Sequence, residues 1–220
     1  MMEYKLVLFN GPAECGKNSV IDALSYDMTL THRRCKDHLF VLVRSLFCLS
    51  QNRFNQLYFD RVMKEKPVPE FRLSWYEFEN LHKIIPEVKY ELQRDGYVFI
   101  SIRSALIYTS EVICKPAFGQ DYFGVARAKS LAIDLELSDD WTWVDDSCGF
   151  DDEIIPSLEL LGQENVMLLR IHGRGQFDAT DSRKYISDGV VNNTIDVYND
   201  GLENDYIALV TKIMVDFLKD

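Results

Sequence analysis

The sequence predicts an α/β fold of three layers, a parallel sheet flanked by helices. Short apolar runs suited to burial on both faces are separated by helix-like stretches. The first run, Leu6-Val7-Leu8-Phe9, is followed at once by Gly11-Pro12-Ala13-Glu14-Cys15-Gly16-Lys17-Asn18-Ser19 and then by a helical stretch, Ser19 to Leu24. That order of strand, glycine-bounded loop and helix belongs to open sheets whose loops bind ligands at the strand ends. With 220 residues, 47% of them apolar, the chain is expected to form one domain with a substantial core.

Tyr4 to Phe9 reads as the first strand and Asn18 to Tyr26 as the helix after the loop. Asp37 to Leu49 carries a helical stripe of Leu39, Phe40, Val43, Leu46 and Phe47. Ser50 to Asp60 reads as a short helix. Lys64 to Glu70 reads as a charged, proline-bearing connector. Ser74-Trp75-Tyr76-Glu77 has the capping-box pattern that opens a helix. Tyr97 to Ile100 suits either a short strand or the lead-in to a helix capped by Ser101. Helices are expected over Arg103 to Cys114 and Tyr122 to Ile133. Trp141 to Val144 reads as a strand that ends in Asp145-Asp146. Asp151 to Leu161 reads as a helix, Asn165 to Ile171 as a strand and His172 to Gly189 as a polar loop. Thr194 to Tyr198 and Leu202 to Leu218 close the chain as strand and helix. The expected plan is thus a strand, a helical region over residues 28–135, then β-α-β-loop-β-α, with 172–189 as a candidate lid.

The chemistry concentrates in the first loop. Gly11 and Gly16 allow backbone N–H groups to turn inward on phosphate oxygens. The following helix N-terminus adds a fixed positive field, and Lys17 a mobile charge. The loop residues Gly11, Pro12, Ala13, Glu14, Cys15, Gly16, Lys17, Asn18 and Ser19 are therefore candidates for binding the phosphates of a nucleotide. Asn18 stands where such loops usually carry Ser or Thr for Mg²⁺. Cys15, at a helix N-terminus, suits either an oxidation-sensitive thiol or, the preferred reading, a small residue that fits a tight loop.

Asp145 and Asp146 follow an apolar strand, and a carboxylate there can orient a Mg²⁺-bound water beside the loop. The same pair also suits a turn or a helix cap. Arg170, Arg174 and Arg183 sit at and after a strand end, in a loop with Gly173, Gly175 and Gly189, and can close over a transferring phosphoryl group. Arg33, Arg34 and Lys36 form a basic run before a helix, and Arg103 opens another; these are candidates for an acceptor phosphate, with a solvated helix entry as the alternative. Asn199-Asp200-Gly201 reads as a turn at the sheet edge that can also meet a base.

Net charge is −11, from 35 acidic and 24 basic residues. Such a surface repels nucleic-acid polymers and anionic membranes, and favours a small phosphorylated ligand met by local cations. The five cysteines form no CxxC pair and the four histidines no metal-ligand spacing, so neither a zinc site nor a disulfide framework is expected. No stretch has the length of a membrane span, and no signal pattern precedes the first strand, so a cytoplasmic protein is expected.

Taken in order, these segments resemble the phage-type deoxynucleoside monophosphate kinases, a branch of the P-loop nucleotide kinases. The resemblance spans most of the chain. It rests on Phe9-Asn10-Gly11 through Gly16-Lys17-Asn18-Ser19, Lys36-Asp37-His38-Leu39-Phe40, Ser101 to Leu106 and Phe118 to Phe123. It continues through the Trp141–Val144 strand with Asp146, Val166 to Arg170, and Tyr198-Asn199-Asp200-Gly201-Leu202-Glu203. The chain differs from the family pattern at Ser147-Cys148-Gly149-Phe150, and at Ile171-His172-Gly173, where no proline follows Arg170. The resemblance implies a P-loop NTPase fold with a helical acceptor-binding insertion and a lid. It implies ATP as donor, a deoxynucleoside 5′-monophosphate as acceptor, and Mg²⁺ held near Asn18, Ser19 and Asp146. Lys17, Asp146, Arg170, Arg174 and Arg183 would then be catalytic. Asn199, Asp200 and Gly201 would contact ATP, and Arg33, Arg34, Lys36 and Arg103 the acceptor. A homodimer is compatible with this reading, as is a kinase of a modified nucleotide or polynucleotide end, or a non-catalytic nucleotide-binding relative.

Overall fold

A computed structural model describes residues 3–26, 28–137, 140–177 and 183–219. Strand β1 (Glu3–Asn10) leads through the glycine loop into helix α1 (Lys17–Leu24) and a two-residue strand β2 (Thr31–His32). Then follow α2 (Cys35–Leu46), α3 (Gln51–Phe59), α4 (Arg61–Lys64), β3 (Val68–Ser74), α5 (Trp75–Ile84), β4 (Tyr90–Leu92) and β5 (Tyr97–Ile100). Helix α6 (Ile102–Ile107) passes into a π-helical stretch, Tyr108–Cys114, and α7 (Lys115–Phe118). The chain continues with α8 (Tyr122–Leu137), β6 (Asp140–Asp145), α9 (Ile155–Leu161), β7 (Val166–His172), β8 (Asn193–Tyr198) and α10 (Glu203–Lys219).

The chain forms two compact units, residues 1–35 with 123–220, and Lys36–Tyr122. The first is a mixed α/β unit around a five-stranded sheet in the order β2-β6-β1-β7-β8. Every pairing in it is parallel. The two-residue period of a strand sends alternate side chains of β1 to opposite faces. Val7 and Phe9 join Val20, Ile21 and Leu24 of α1 and Tyr206, Val210, Met214 and Phe217 of α10 in one buried cluster. Leu6 and Leu8 join Leu131 of α8 and Leu158 and Leu161 of α9 in another. Helices therefore cover both faces, which is why these strands read as continuous apolar runs. Because all five strands run the same way, their C-terminal ends share one edge, and the loops that leave them gather there.

The second unit departs from the helical region expected over residues 28–135. It contains a three-stranded antiparallel sheet, β3-β5-β4, packed on helices through Phe71, Leu73, Phe78, Leu81, Val98 and Ile100. The ambiguous Tyr97–Ile100 segment is its central strand. The connector expected over Lys64 to Glu70 enters β3 at Val68. Pro69, which argued against a strand, sits on an edge strand at an irregularity in the register between Val68 and Arg72. There a missing N–H breaks no ladder. The capping box is formed as read: Ser74 Oγ accepts from the Glu77 N–H and Glu77 from the Ser74 N–H. The helix expected over Arg103 to Cys114 is interrupted by the π-helical stretch. Among the described residues, no helix is long and apolar enough to cross a membrane.

Candidate active site

The loop after β1 is shaped by what lies behind it. Gly16 has φ +101°, in the left-handed region, and a Cβ there would fall 2.4 Å from Asn199 Nδ2. Only glycine meets both conditions. Asn199, buried at the end of β8, donates from Nδ2 to the carbonyl of Cys15 at 2.9 Å. The backbone at Gly175 also closes on the loop, so that a Cβ there would lie 2.1 Å from the Ala13 carbonyl oxygen. Helix α1 begins at Lys17, and its cap residue Gly16 has no side chain to bond the first-turn N–H groups.

Lys17 folds back over the loop. Its Nζ donates to the carbonyls of Gly11 (2.7 Å) and Pro12 (2.6 Å) and lies 3.3 Å from Cys15 Sγ. Burial lowers its pKa, the Cys15 thiol opposes that shift, and the positive charge of Arg183 adds to it. The aliphatic stem of Arg183 lies over Gly149, where a Cβ would come within 2.5 Å of Arg183 Cβ.

The two aspartates at the end of β6 differ in environment. Asp145 is wholly buried. Its Oδ2 pairs with Arg127 Nη1 at 2.5 Å and accepts from the Cys35 N–H at 3.2 Å. Its Oδ1 accepts from the N–H and hydroxyl of Ser147. Arg127 completes its own set with Ser157 Oγ and the Glu153 carbonyl. Asp145 is thus a structural anchor, while Asp146, the next residue, is buried to 8% exposure. Burial also raises the thiol pKa values of Cys35 and Cys148, with Asp145 adding to both shifts and Arg127 opposing them.

The candidate cations are arranged unequally. Arg33 makes a bidentate pair with Asp134, both bonds at 2.7 Å, and Asp134 also accepts from Trp143 Nε1. This guanidinium is engaged in the frame of the first unit, as is that of Arg170, which bonds Asp188 (2.6 Å), Asp196 (2.8 Å) and the Ile186 carbonyl. Asp196 also meets His172 Nε2, and these hydrogen bonds hold its carboxyl below the usual range against the opposing effect of burial. Arg174 donates to the Gly201 carbonyl at 2.8 Å, which brings two candidates together. Asp200 is exposed beside them. Lys36 and Arg103 belong to the second unit, where Arg103 pairs with Glu65 at 3.2 Å.

No protein-family model and no curated protein matches this chain. Geometry alone groups the loop, Lys17, Asp146, Arg183 and Asn199 at the carboxyl edge of one parallel sheet. Of the candidate lid, 178–182 lie outside the described residues. Its described limbs are tied down. Ser187 bonds Asp151 through its N–H and hydroxyl, Tyr185 donates to the Ile171 carbonyl, and Lys184 N–H donates to the Gly149 carbonyl.

Asn10, Arg127 and Asp134 carry the frame of the site; Asn10 lay inside the quoted loop motif without a role, and Arg127 and Asp134 were in no motif. For Arg127 and Asp134 a signal exists. They share the buried stripe of α8 with Phe123 and Leu131, and charges within an apolar helical stripe imply buried partners.

Proposed function

We propose that this chain is a P-loop nucleotide kinase that transfers the γ-phosphoryl group of ATP to a deoxynucleoside 5′-monophosphate. One observation carries the donor half. A glycine loop leads into a helix whose first residue, Lys17, folds back over that loop, with Arg183 lying over Gly149 just beyond the end of β6. Two cations and a row of backbone donors at one sheet edge are the features a polyphosphate needs. The acceptor half rests on the resemblance of the motif order. That order assigns the acceptor phosphate to Arg33, Arg34, Lys36 and Arg103, of which Arg33 is paired with Asp134 and Arg103 with Glu65.

In this reading Lys17 leaves the carbonyls of Gly11 and Pro12 when phosphate oxygens take their place. The loop N–H groups hold the β-phosphate. Arg183 meets charge that grows on the equatorial oxygens during transfer, and Arg174 is available from the other limb of the loop. The acceptor oxygen attacks phosphorus in line as the bond to the leaving oxygen breaks. Positioning and charge neutralisation supply most of the rate, and no covalent intermediate on the chain is required.

The donor set of Asn18, Ser19 and Asp146 offers an amide oxygen, a hydroxyl and a carboxylate, hard oxygen ligands that fit Mg²⁺. When bound, that ion neutralises charge on the phosphates. The chain's part is to hold Asp146 at the end of β6, beside β1, where the buried Asp145–Arg127 pair fixes the backbone.

The deciding experiment is ADP release from ATP and Mg²⁺ across a panel of deoxynucleoside monophosphates, ribonucleotides and 5′-hydroxyl oligonucleotides. Turnover with one or more of the deoxynucleoside monophosphates is expected. Turnover only with an oligonucleotide end would replace the acceptor, and ATP binding without turnover on any acceptor would make the chain a non-catalytic binder.

A further inference from the structure

Asn10 is the last residue of β1, fully buried, one position before the glycine loop. Its side chain bonds three backbone groups from two other segments. Nδ2 donates to the carbonyls of Cys148 and Lys184, each at 3.1 Å, and Oδ1 accepts from the Ile186 N–H at 2.9 Å. Both donor hydrogens and the acceptor are used, so the amide is oriented without ambiguity. The two segments also join each other, because the Lys184 N–H donates to the Gly149 carbonyl at 3.1 Å. One of them follows directly on Asp146, and the other carries Arg183 next to Lys184. Irregular backbone of this kind has no sheet ladder to satisfy it, and a buried amide supplies the missing partners. The stem of Arg183 is confined on a further side by the bare backbone of Gly149.

We infer that Asn10 is a positioning residue: by clamping residues 148 and 184–186 to the end of β1, it holds Arg183 over Gly149 at the edge that carries the glycine loop, so that Arg183 and Lys17 act on one anion. The inference rests on the donor-site reading above. Loss of the clamp should matter only while Arg183 is present, because what it misplaces is that guanidinium.

The test is a double-substitution cycle on the full chain, read by calorimetric titration with ADP. Asn10→Leu removes all three bonds at similar volume, and Asn10→Ser is the milder variant should the first fail to fold. Either is expected to weaken ADP binding about tenfold in the presence of Arg183, and by less than about twofold in an Arg183→Ala background. Gly149→Ala, which displaces Arg183 while leaving Asn10 intact, should weaken binding and show the same dependence on Arg183. A merely structural Asn10 would lower the thermal midpoint yet weaken ADP binding by the same factor in both backgrounds; that result overturns the inference, as does unchanged affinity in Gly149→Ala. A wild-type chain that binds no ADP overturns the donor-site reading itself, whereas wild-type binding with independent effects overturns the role of Asn10 alone.

Discussion

Asn199 Nδ2 donates to the Cys15 carbonyl across 2.9 Å, joining the end of β8 to the glycine loop after β1. The same nitrogen stands where a Cβ on Gly16 would fall. This contact makes one loop geometry depend on two residues far apart in the chain. Gly16→Ala should cost about 2–3 kcal/mol from the left-handed backbone and the collision together, and Asn199→Ala about 1–2 kcal/mol. The double variant should be less damaged than the sum, because removing the amide relieves the collision but not the backbone strain. Urea denaturation of the three variants measures this.

Lys17→Ala should reduce phosphoryl transfer by about 10²–10³-fold with the fold retained, the scale for removing one well-placed charge-stabilising group. Near-wild-type turnover would take Lys17 out of the mechanism. A pH signature accompanies it. Burial places the native pKa of Lys17 below its ordinary value of 10.5. Between the native and unfolded values the unfolded chain binds more protons, so stability rises with pH through that window. Lys17→Met should lose that rise in denaturation midpoints measured from neutral pH toward 10.5.

Asp146→Asn should raise the Mg²⁺ concentration needed for half-maximal turnover and lower kcat, with little change in stability. Titration of activity with Mg²⁺ in wild type and variant gives the answer, and identical curves would return Asp146 to a turn role. Asp145→Asn should differ in kind. It weakens a buried pair with Arg127, so its main effect is a fall in stability.

Removing Arg127 should be more severe than removing any other arginine named here. Arg127→Met leaves Asp145 buried at 0% exposure without its cation, a loss of about 3–5 kcal/mol. Arg127→Met combined with Asp145→Leu should recover part of it, since no lone charge is then buried. Thermal or urea unfolding of the single and double variants provides the comparison.

Arg33→Ala separates the frame from the acceptor site. Its bidentate partner Asp134 is largely buried, while Arg33 itself is about one-third exposed, so a loss of about 1–3 kcal/mol is expected. KM for the acceptor should stay near that of wild type. A large rise in KM with unchanged stability would restore Arg33 to acceptor binding.

The sequence by itself determined the parallel α/β unit and the position of its loop. Buried strands such as Leu6–Phe9 are continuous apolar runs, and the glycines at 11 and 16 mark the turn between strand and helix. Those signals are local, written within a few residues of where they act. Strand β3 was obscured by its own proline and charges, which an edge position tolerates. Strand β2, two residues long, carries no pattern at all. The division of labour among the polar residues was decided only by tertiary structure. Asp145 and Asp146 are adjacent and chemically identical, yet Arg127 on α8 engages one of them. Arg33 and Arg34 are equally adjacent, yet Asp134 takes Arg33 in a bidentate pair. Asn10 and Asn199 read as a loop-motif residue and a turn residue, yet the backbone groups they bind come from 138 to 184 residues away. A polar side chain's role is set by the partner that satisfies it once buried, and that partner is chosen by the packing of the sheet rather than by its neighbours in the chain.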